Sequence, residues 1–388
     1  MAGRRTRRSS RQSPMTRIPV NRPLLDGNEA RYLTECITTG WISSEGPFVR
    51  RLEESLATLC KRTGGVAVAN GTCALDAAVH ALNLPAGSEV IMPSMTIISC
   101  ITAVLRAGCV PRLVDCDPDT WNMRTDDVRA ALNDKTGAIM AVHIYGLTVD
   151  MDPILQLASE NGLKVVEDAS EAIGLRYKDR MCGSMGHLST LSFYPNKNIT
   201  TGEGGMILAN DAALLERCRS LRNLCFLKEQ RFLHRDLGWN FRMSNLQAAV
   251  GCAQFERLDE FLQIRRRMGL RYRELLQDVG ELHLPIHSTP YADNGYWVFG
   301  VVPRDAAPTR EKLVAYLAGK GVETRPFFWG LHEQPVFAGA SWLQGLSLPH
   351  TERLGRRGFY LPSGIGITDE EIVRVVDIMK EALLACRN

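Results

Sequence analysis

The sequence predicts an α/β protein with a mainly parallel central sheet flanked by helices, followed by a smaller C-terminal α/β domain. Short apolar runs alternate with helical patterns from Ile18 onward. Strands separated by helices of this length form βαβ units, which cover a parallel sheet on both faces. A chain of 388 residues, 45% of them hydrophobic, can bury a large core and divide into one larger and one smaller domain. No apolar run reaches the roughly 18 residues that a membrane span needs, so a soluble protein is expected.

Each element has its own signal. GNEARYLTECI and FVRRLEESLATLC carry apolar residues at helical spacing. GVAVAN reads as a strand ending at Asn70, after which TCALDAAVHAL turns helical. The strands EVIMP, PRLVDCD, AIMAVHIY and KVVED follow, with the helical runs IISCITAVLRAG and DPILQLASENG among them. LSTLSFY and GGMILAN then form two more strands around a Gly-rich loop. Ser244 and Gln247 read as a capping box, and one helical pattern runs from there to about Gly280. The divisions are a basic tail (1–17), a large domain (18–255) and a small domain (256–388).

Right-handed crossovers bring the strand ends to one rim, where α/β proteins bind ligands. Three runs point to chemistry there. KVVED ends in Glu167 and Asp168, carboxylates that would face the crevice. Lys197 lies in NKNITTGEGG, a tight loop whose glycines would let it pass close to a bulky ligand. A partly desolvated lysine is the amine that forms a Schiff base with an aldehyde cofactor, whereas a surface lysine on a turn would do nothing. Asn70, Gly71 and Thr72 open a helix, where free N–H groups bind phosphate and where Thr is also an ordinary N-cap.

In this order and at these spacings, the runs resemble the sugar-nucleotide aminotransferase family, pyridoxal-phosphate enzymes of fold type I. The likeness extends from about Ile18 to the C-terminus and includes GWISSEGPFV, IMAVHIYGLTVDMDPIL, GWNFRMSNLQAAVG and GVETRPFF. Within the family, VHIYG, EDASEAIG, NKNITTGEGGM, NFRMSN and ETRPFF are similar to the subgroup that aminates C4 of GDP-4-keto-6-deoxymannose.

The resemblance implies pyridoxal 5'-phosphate, cycling through pyridoxamine 5'-phosphate, with Lys197 as its Schiff-base lysine and proton carrier. It makes Asp168 the partner of the pyridine nitrogen and Glu171 the neighbour of the ring hydroxyl, where relatives usually place Gln or His. Gly71, Thr72 and Ser192 become phosphate ligands, and Asn240 reaches the phosphate of a neighbouring subunit, so a homodimer with shared sites is implied. Ile97 stands where the family commonly stacks an aromatic residue on the ring, and is expected to cover it by dispersion. Pro195 stands where relatives often carry Gly and should stiffen the approach to Lys197. Arg325 and His332 would line the substrate side, unless Arg325 instead makes a salt bridge between the domains. The implied reaction takes nitrogen from glutamate and delivers it to the keto sugar nucleotide. Alternatives are C3 amination of a GDP-3-keto-6-deoxymannose, a dTDP-linked keto sugar, and a sugar dehydratase, which Lys197 opposes because those relatives carry histidine.

Eleven cysteines without a CxxC pair fit reduced, buried thiols in the cytoplasm, and no zinc-ligand spacing appears. The net charge of +3 conceals an asymmetry, because Arg4, Arg5, Arg7, Arg8, Arg11 and Arg17 precede any acid. Without those six, 40 basic residues face 43 acidic ones, leaving a body of net charge −3. The tail has too little apolar content to fold and no secretory h-region. It reads as an incidental extension with Met15 as an alternative start, the other uses being a transit peptide or a nucleic-acid arm.

Overall fold

The computed structural model describes residues 17–227, 229–230, 232–234 and 236–387. The expected tail lies outside these except for Arg17, which pairs with Glu323. The strands of the first half are β1 (Gly64–Val68), β2 (Glu89–Pro93), β3 (Val110–Val114), β4 (Thr136–Val142) and β5 (Lys164–Asp168). A hairpin of β6 (Arg176–Tyr177) and β7 (Arg180–Met181) precedes β8 (Leu188–Ser192) and β9 (Gly205–Ala209). Seven strands form one sheet in the order β1-β9-β8-β5-β4-β2-β3. Neighbours are parallel except around β9, which runs antiparallel to both β1 and β8.

The continuous apolar runs arise because both sheet faces are covered. Val66, Val68 and Ile207 pack with Ala74 and Ala78 of the helix Gly71–Ala81. Ala67, Met206 and Leu208, one residue out of phase, pack with Leu52, Leu56 and Ala249 on the other side. Each strand is therefore wedged between helices. The hairpin and the helix Thr125–Ala131 carry no marked periodicity and were not among the expected elements.

Two expectations change. The capping box of Ser244 and Gln247 is present, but the helix it starts ends at Phe255 and a second helix spans Leu258–Leu276. The break is pinned by Glu256, whose carboxylate accepts from the Tyr32 hydroxyl at 2.5 Å, Asn28 at 2.6 Å and Arg51 at 2.7 Å. Nor is the lysine loop a tight turn: Ser192 lies opposite Gly205 in the β8–β9 register, and residues 193–204 make a broad excursion between them. One of its glycines is required by the protein's own backbone. A Cβ on Gly205 would lie 2.5 Å from the Asn70 carbonyl oxygen, and Gly202 has φ +80°.

The C-terminal part adds an antiparallel sheet of β10 (Leu282–His283), β11 (Phe299–Pro303), β12 (Arg325–Pro326) and β13 (Phe359–Leu361), ordered β10-β11-β13-β12. Its core includes Tyr272, Phe299, Leu313, Phe359 and Val375, and Ile18 belongs to it too, bridging to Val322. The eleven cysteines are free, and all but Cys386 are buried. Among the described residues no helix is long and apolar enough to cross a membrane.

Strand alternation separates the two acids of β5 and corrects the expectation that both face the crevice. Asp168 lines the cavity described below, while Glu167 turns into residues 183–189. There it accepts from the N–H groups of Gly183, Met185 and Gly186 at 2.6, 2.8 and 2.9 Å, and from Ser189 Oγ at 2.9 Å. Burial opposes its charge, yet the His143 hydrogen bond and the backbone donors outweigh burial and hold the carboxyl at about 2, below the ordinary 4.5. A carboxylate depressed by folding stabilises fully above its unfolded value and progressively less as pH falls from 4.5 toward 2. Urea melts across that window should show stability falling with pH. Glu167→Gln should flatten the dependence and cost on the order of 3 kcal/mol at neutral pH, since it strands buried donors.

Candidate active site

The C-terminal ends of the parallel strands surround a cavity of about 670 Å³. Val142 ends β4, Asp168 ends β5, Ser192 ends β8, and all three line it. Asn70, Gly71 and Thr72 follow β1 into the same wall, and Thr96 and Ile97 follow β2. Residues of the C-terminal part close it, including Trp297, Arg325, Phe328 and Tyr360.

At one end the helix Gly71–Ala81 points its N-terminus into the cavity. Its N-cap is Asn70, whose Oδ1 accepts from the Cys73 N–H at 2.9 Å. Thr72 is thereby freed from capping, and its hydroxyl lies 2.8 Å from Ser99 Oγ. A Cβ on Gly71 would stand 2.7 Å from the Ser192 Cβ, so only glycine lets the helix start approach this serine. The result is a small cup of backbone N–H groups and hydroxyls with the helix dipole behind it, a fitting seat for a phosphate.

Deeper in the cavity, Asp168 is 2% exposed. Its Oδ1 accepts from the Ser170 N–H at 3.1 Å and the Ser170 hydroxyl at 2.6 Å, and Cys100 Sγ approaches Oδ2 at 3.5 Å. This is a turn and not a helix cap, because no helix starts here.

Lys197 Nζ lies 3.3 Å from Glu171 Oε1 and 4.1 Å from the centre of the Trp297 ring. The indole face adds a cation–π contact worth about 2 kcal/mol where water is excluded. Glu171 accepts the Tyr145 N–H at 2.8 Å through its other oxygen. Burial pushes the Glu171 carboxyl above its ordinary value, and the nearby Asp168 charge adds to the rise, while Lys197 and the Tyr145 N–H restrain it. The site thus holds one part-buried amine against a carboxylate whose pKa burial raises.

Lys197, Asp168, Gly71, Thr72, Ile97, Glu171, Ser192 and Arg325 all line the one cavity. Ile97 is 42% exposed, so its aliphatic side chain is available to cover a flat ligand. No carboxylate pairs with Arg325 among the described residues, so the interdomain salt bridge is absent there and the guanidinium stays at the cavity wall. His332 is not in the lining: its Nδ1 lies 2.8 Å from Ser94 Oγ and its Nε2 3.5 Å from Glu352. Asn240 is exposed and outside the cavity, with its Oδ1 accepting from Arg242 at 2.8 Å. Sequence reasoning missed Trp297 and Tyr145. Tyr145 lies in the quoted run VHIYG, whereas nothing local in GYWVFG pairs an indole with a lysine far earlier in the chain.

The donor set fits pyridoxal phosphate: an anion cup, a buried carboxylate and an amine share one cavity.

The sequence profile described as the DegT/DnrJ/EryC1/StrS aminotransferase family matches residues 23–380. The chain is 39% identical over 373 residues to GDP-perosamine synthase of Caulobacter vibrioides, covering 96% of this chain and 100% of that protein. It is 36% identical over 367 residues to GDP-perosamine synthase of Escherichia coli O157:H7, covering 95% and 99%. The crystal structure of DesI in the presence of its TDP-sugar product superposes with a TM-score of 0.87 at 33% identity, covering 96% of this chain and 94% of that one.

As pH falls, Glu171 takes up a proton and Lys197 loses its anionic partner. Glu171→Gln cannot titrate, so the acidic limb of its pH–rate profile should flatten while turnover at neutral pH stays within about tenfold of wild type. A pH series of initial rates on both proteins checks this.

Proposed function

The chain belongs to the DegT/DnrJ/EryC1/StrS aminotransferase family, and within it we propose that the protein moves an amino group from glutamate to C4 of GDP-4-keto-6-deoxymannose, forming GDP-perosamine. The observation that carries the chemistry is the 3.3 Å pair of Lys197 and Glu171 in one cavity with Asp168. The choice of sugar rests on identity of 36–39% to GDP-perosamine synthases over nearly the whole of each chain.

Pyridoxal 5'-phosphate, when bound, supplies an aldehyde that takes up nitrogen and a ring that holds the electron pair released at carbon. The Gly71–Thr72 helix start and Ser192 would bind its phosphate. Asp168 would keep a proton on its pyridine nitrogen, since a buried carboxylate favours the adjacent cation. Ile97 would cover a ring face, and Glu171 would meet the ring hydroxyl. Lys197 would be the attachment point and, once displaced, the base that carries a proton between the carbon centres.

Glu171 and the indole of Trp297 hold the lysine amine within reach and keep it from solvent, its side chain being 12% exposed. Arg325 offers a planar fork of donors suited to a diphosphate. Asn240, exposed and outside its own cavity, would serve the phosphate of a second subunit, so we propose a homodimer with shared sites. His332 would act on substrate only indirectly, by shaping the loop beside Ser94.

Because one amine acts as base in both halves of the reaction, Lys197→Ala should lower turnover by more than about 10⁴-fold. Near-normal amination by that variant would remove Lys197 from this role. Incubating the enzyme with GDP-4-keto-6-deoxymannose and glutamate, then locating the new amine by NMR, tests the sugar. We expect nitrogen on C4; an amine on C3, or turnover confined to a dTDP-linked keto sugar, would reject the perosamine assignment and keep the family.

A further inference from the structure

Arg265, in the helix Leu258–Leu276, is 1% exposed and meets no carboxylate among the described residues. Its guanidinium is instead surrounded by backbone carbonyls. Nη2 donates to Asn196 at 2.8 Å and Lys197 at 3.1 Å, while Nη1 donates to Trp297 at 2.5 Å and Ser363 at 3.0 Å. The Asn196 carbonyl also accepts the Trp297 indole N–H at 2.7 Å. These contacts close a ring: Arg265 and the indole hold the same carbonyl, and Arg265 holds the backbone of the tryptophan whose face lies 4.1 Å from Lys197 Nζ.

A buried guanidinium without an anion is an expensive way to join three segments, because apolar side chains of similar volume pack at lower cost. What an apolar group cannot do is fix the orientation of successive peptide planes. A planar fork with rigid donor geometry can. The peptide carbonyls of Asn196 and Lys197 set the direction in which the lysine side chain leaves the backbone, and the broad loop 193–204 has no regular secondary structure to set it otherwise.

We propose that Arg265, together with the indole N–H of Trp297, is a clamp on the Asn196–Lys197 backbone that positions the Lys197 amine against Glu171. Neither residue need touch the reacting atoms to do this through its hydrogen bonds, so Arg265 is a positioning residue and the indole N–H has a positioning role distinct from the ring's contact with the amine. Burial pulls the Arg265 pKa down to about 9, which still leaves the fork protonated at neutral pH. The catalytic consequence rests on the role proposed for Lys197; the mechanical one does not.

Three full-length variants test the clamp: Arg265→Met, which removes the fork; Arg265→Lys, which keeps a charge but not the fork; and Trp297→Phe, which keeps a ring but loses the N–H. Hydrogen–deuterium exchange is measured on the cofactor-free proteins, and steady-state kinetics on the loaded ones. Exchange over residues 193–204 should accelerate by about tenfold in both Arg265 variants and severalfold in Trp297→Phe. kcat should fall about 10–100-fold with KM for the keto sugar changed less than about threefold, and lysine should not restore it. Should the Arg265 variants fail to fold, Trp297→Phe decides alone. Unchanged exchange over 193–204, an effect on KM alone, or full rescue by Arg265→Lys would each overturn the clamp. If the wild-type enzyme aminates no sugar nucleotide, the substrate assignment fails while the exchange data still decide the clamp.

Discussion

An amine held largely out of water is the constraint on which the rest of this structure depends. Desolvation disfavours an ammonium unless an anion or a π face replaces the lost hydration. Lys197 has both, from elements far apart in the chain: Glu171 in the turn after β5 and Trp297 just before β11. Glu171 is itself buried and needs the Tyr145 N–H to complete its shell. Tyr145 in turn stacks on Trp297 at an interplanar angle of 15° and accepts the Phe328 N–H at 2.9 Å through its hydroxyl. The charge of one side chain thereby couples the end of β4, the turn after β5, the lysine loop and the C-terminal sheet.

The sheet makes this coupling affordable in conformational terms. Parallel strands deliver Val142, Asp168 and Ser192 to one rim, and the antiparallel β9 returns the chain so that the lysine loop leaves from the same rim. The side chains there are set by strand alternation and packing on both faces, so little freedom remains to be lost when a ligand enters. The same alternation sends Glu167 away from the cavity, where five hydrogen-bond partners anchor the residues behind Asp168.

Much of this was legible in the amino-acid order. The strand runs from GVAVAN to GGMILAN fall where β1 to β5, β8 and β9 lie, because doubly covered strands are predominantly apolar. The Ser244 capping box was readable because its bonds span three residues. Asp168, Lys197, Gly71 and Thr72 announced themselves by their places at strand ends and a helix start. The helix break at Glu256 was not legible, since its cause is a set of hydrogen bonds to Asn28, Tyr32 and Arg51, some two hundred residues earlier. The constraint on Gly205 was not legible either, since it comes from the Asn70 carbonyl, far earlier in the chain.

The sequence by itself determined the α/β layering and the family, and it singled out Lys197 and Asp168 as candidates for the site. The layering follows from local periodicity, and the candidates from short motifs whose likeness to one family runs along nearly the whole chain. Tertiary structure alone decided what surrounds the amine: that Glu171 meets Lys197 while Glu167 turns away, that His332 packs behind the wall while Arg325 lines it, and that Trp297 reaches the Asn196 carbonyl across 101 residues of chain. Such contacts are fixed by the folding of distant segments against one another, and no local pattern encodes the partner a buried side chain will find.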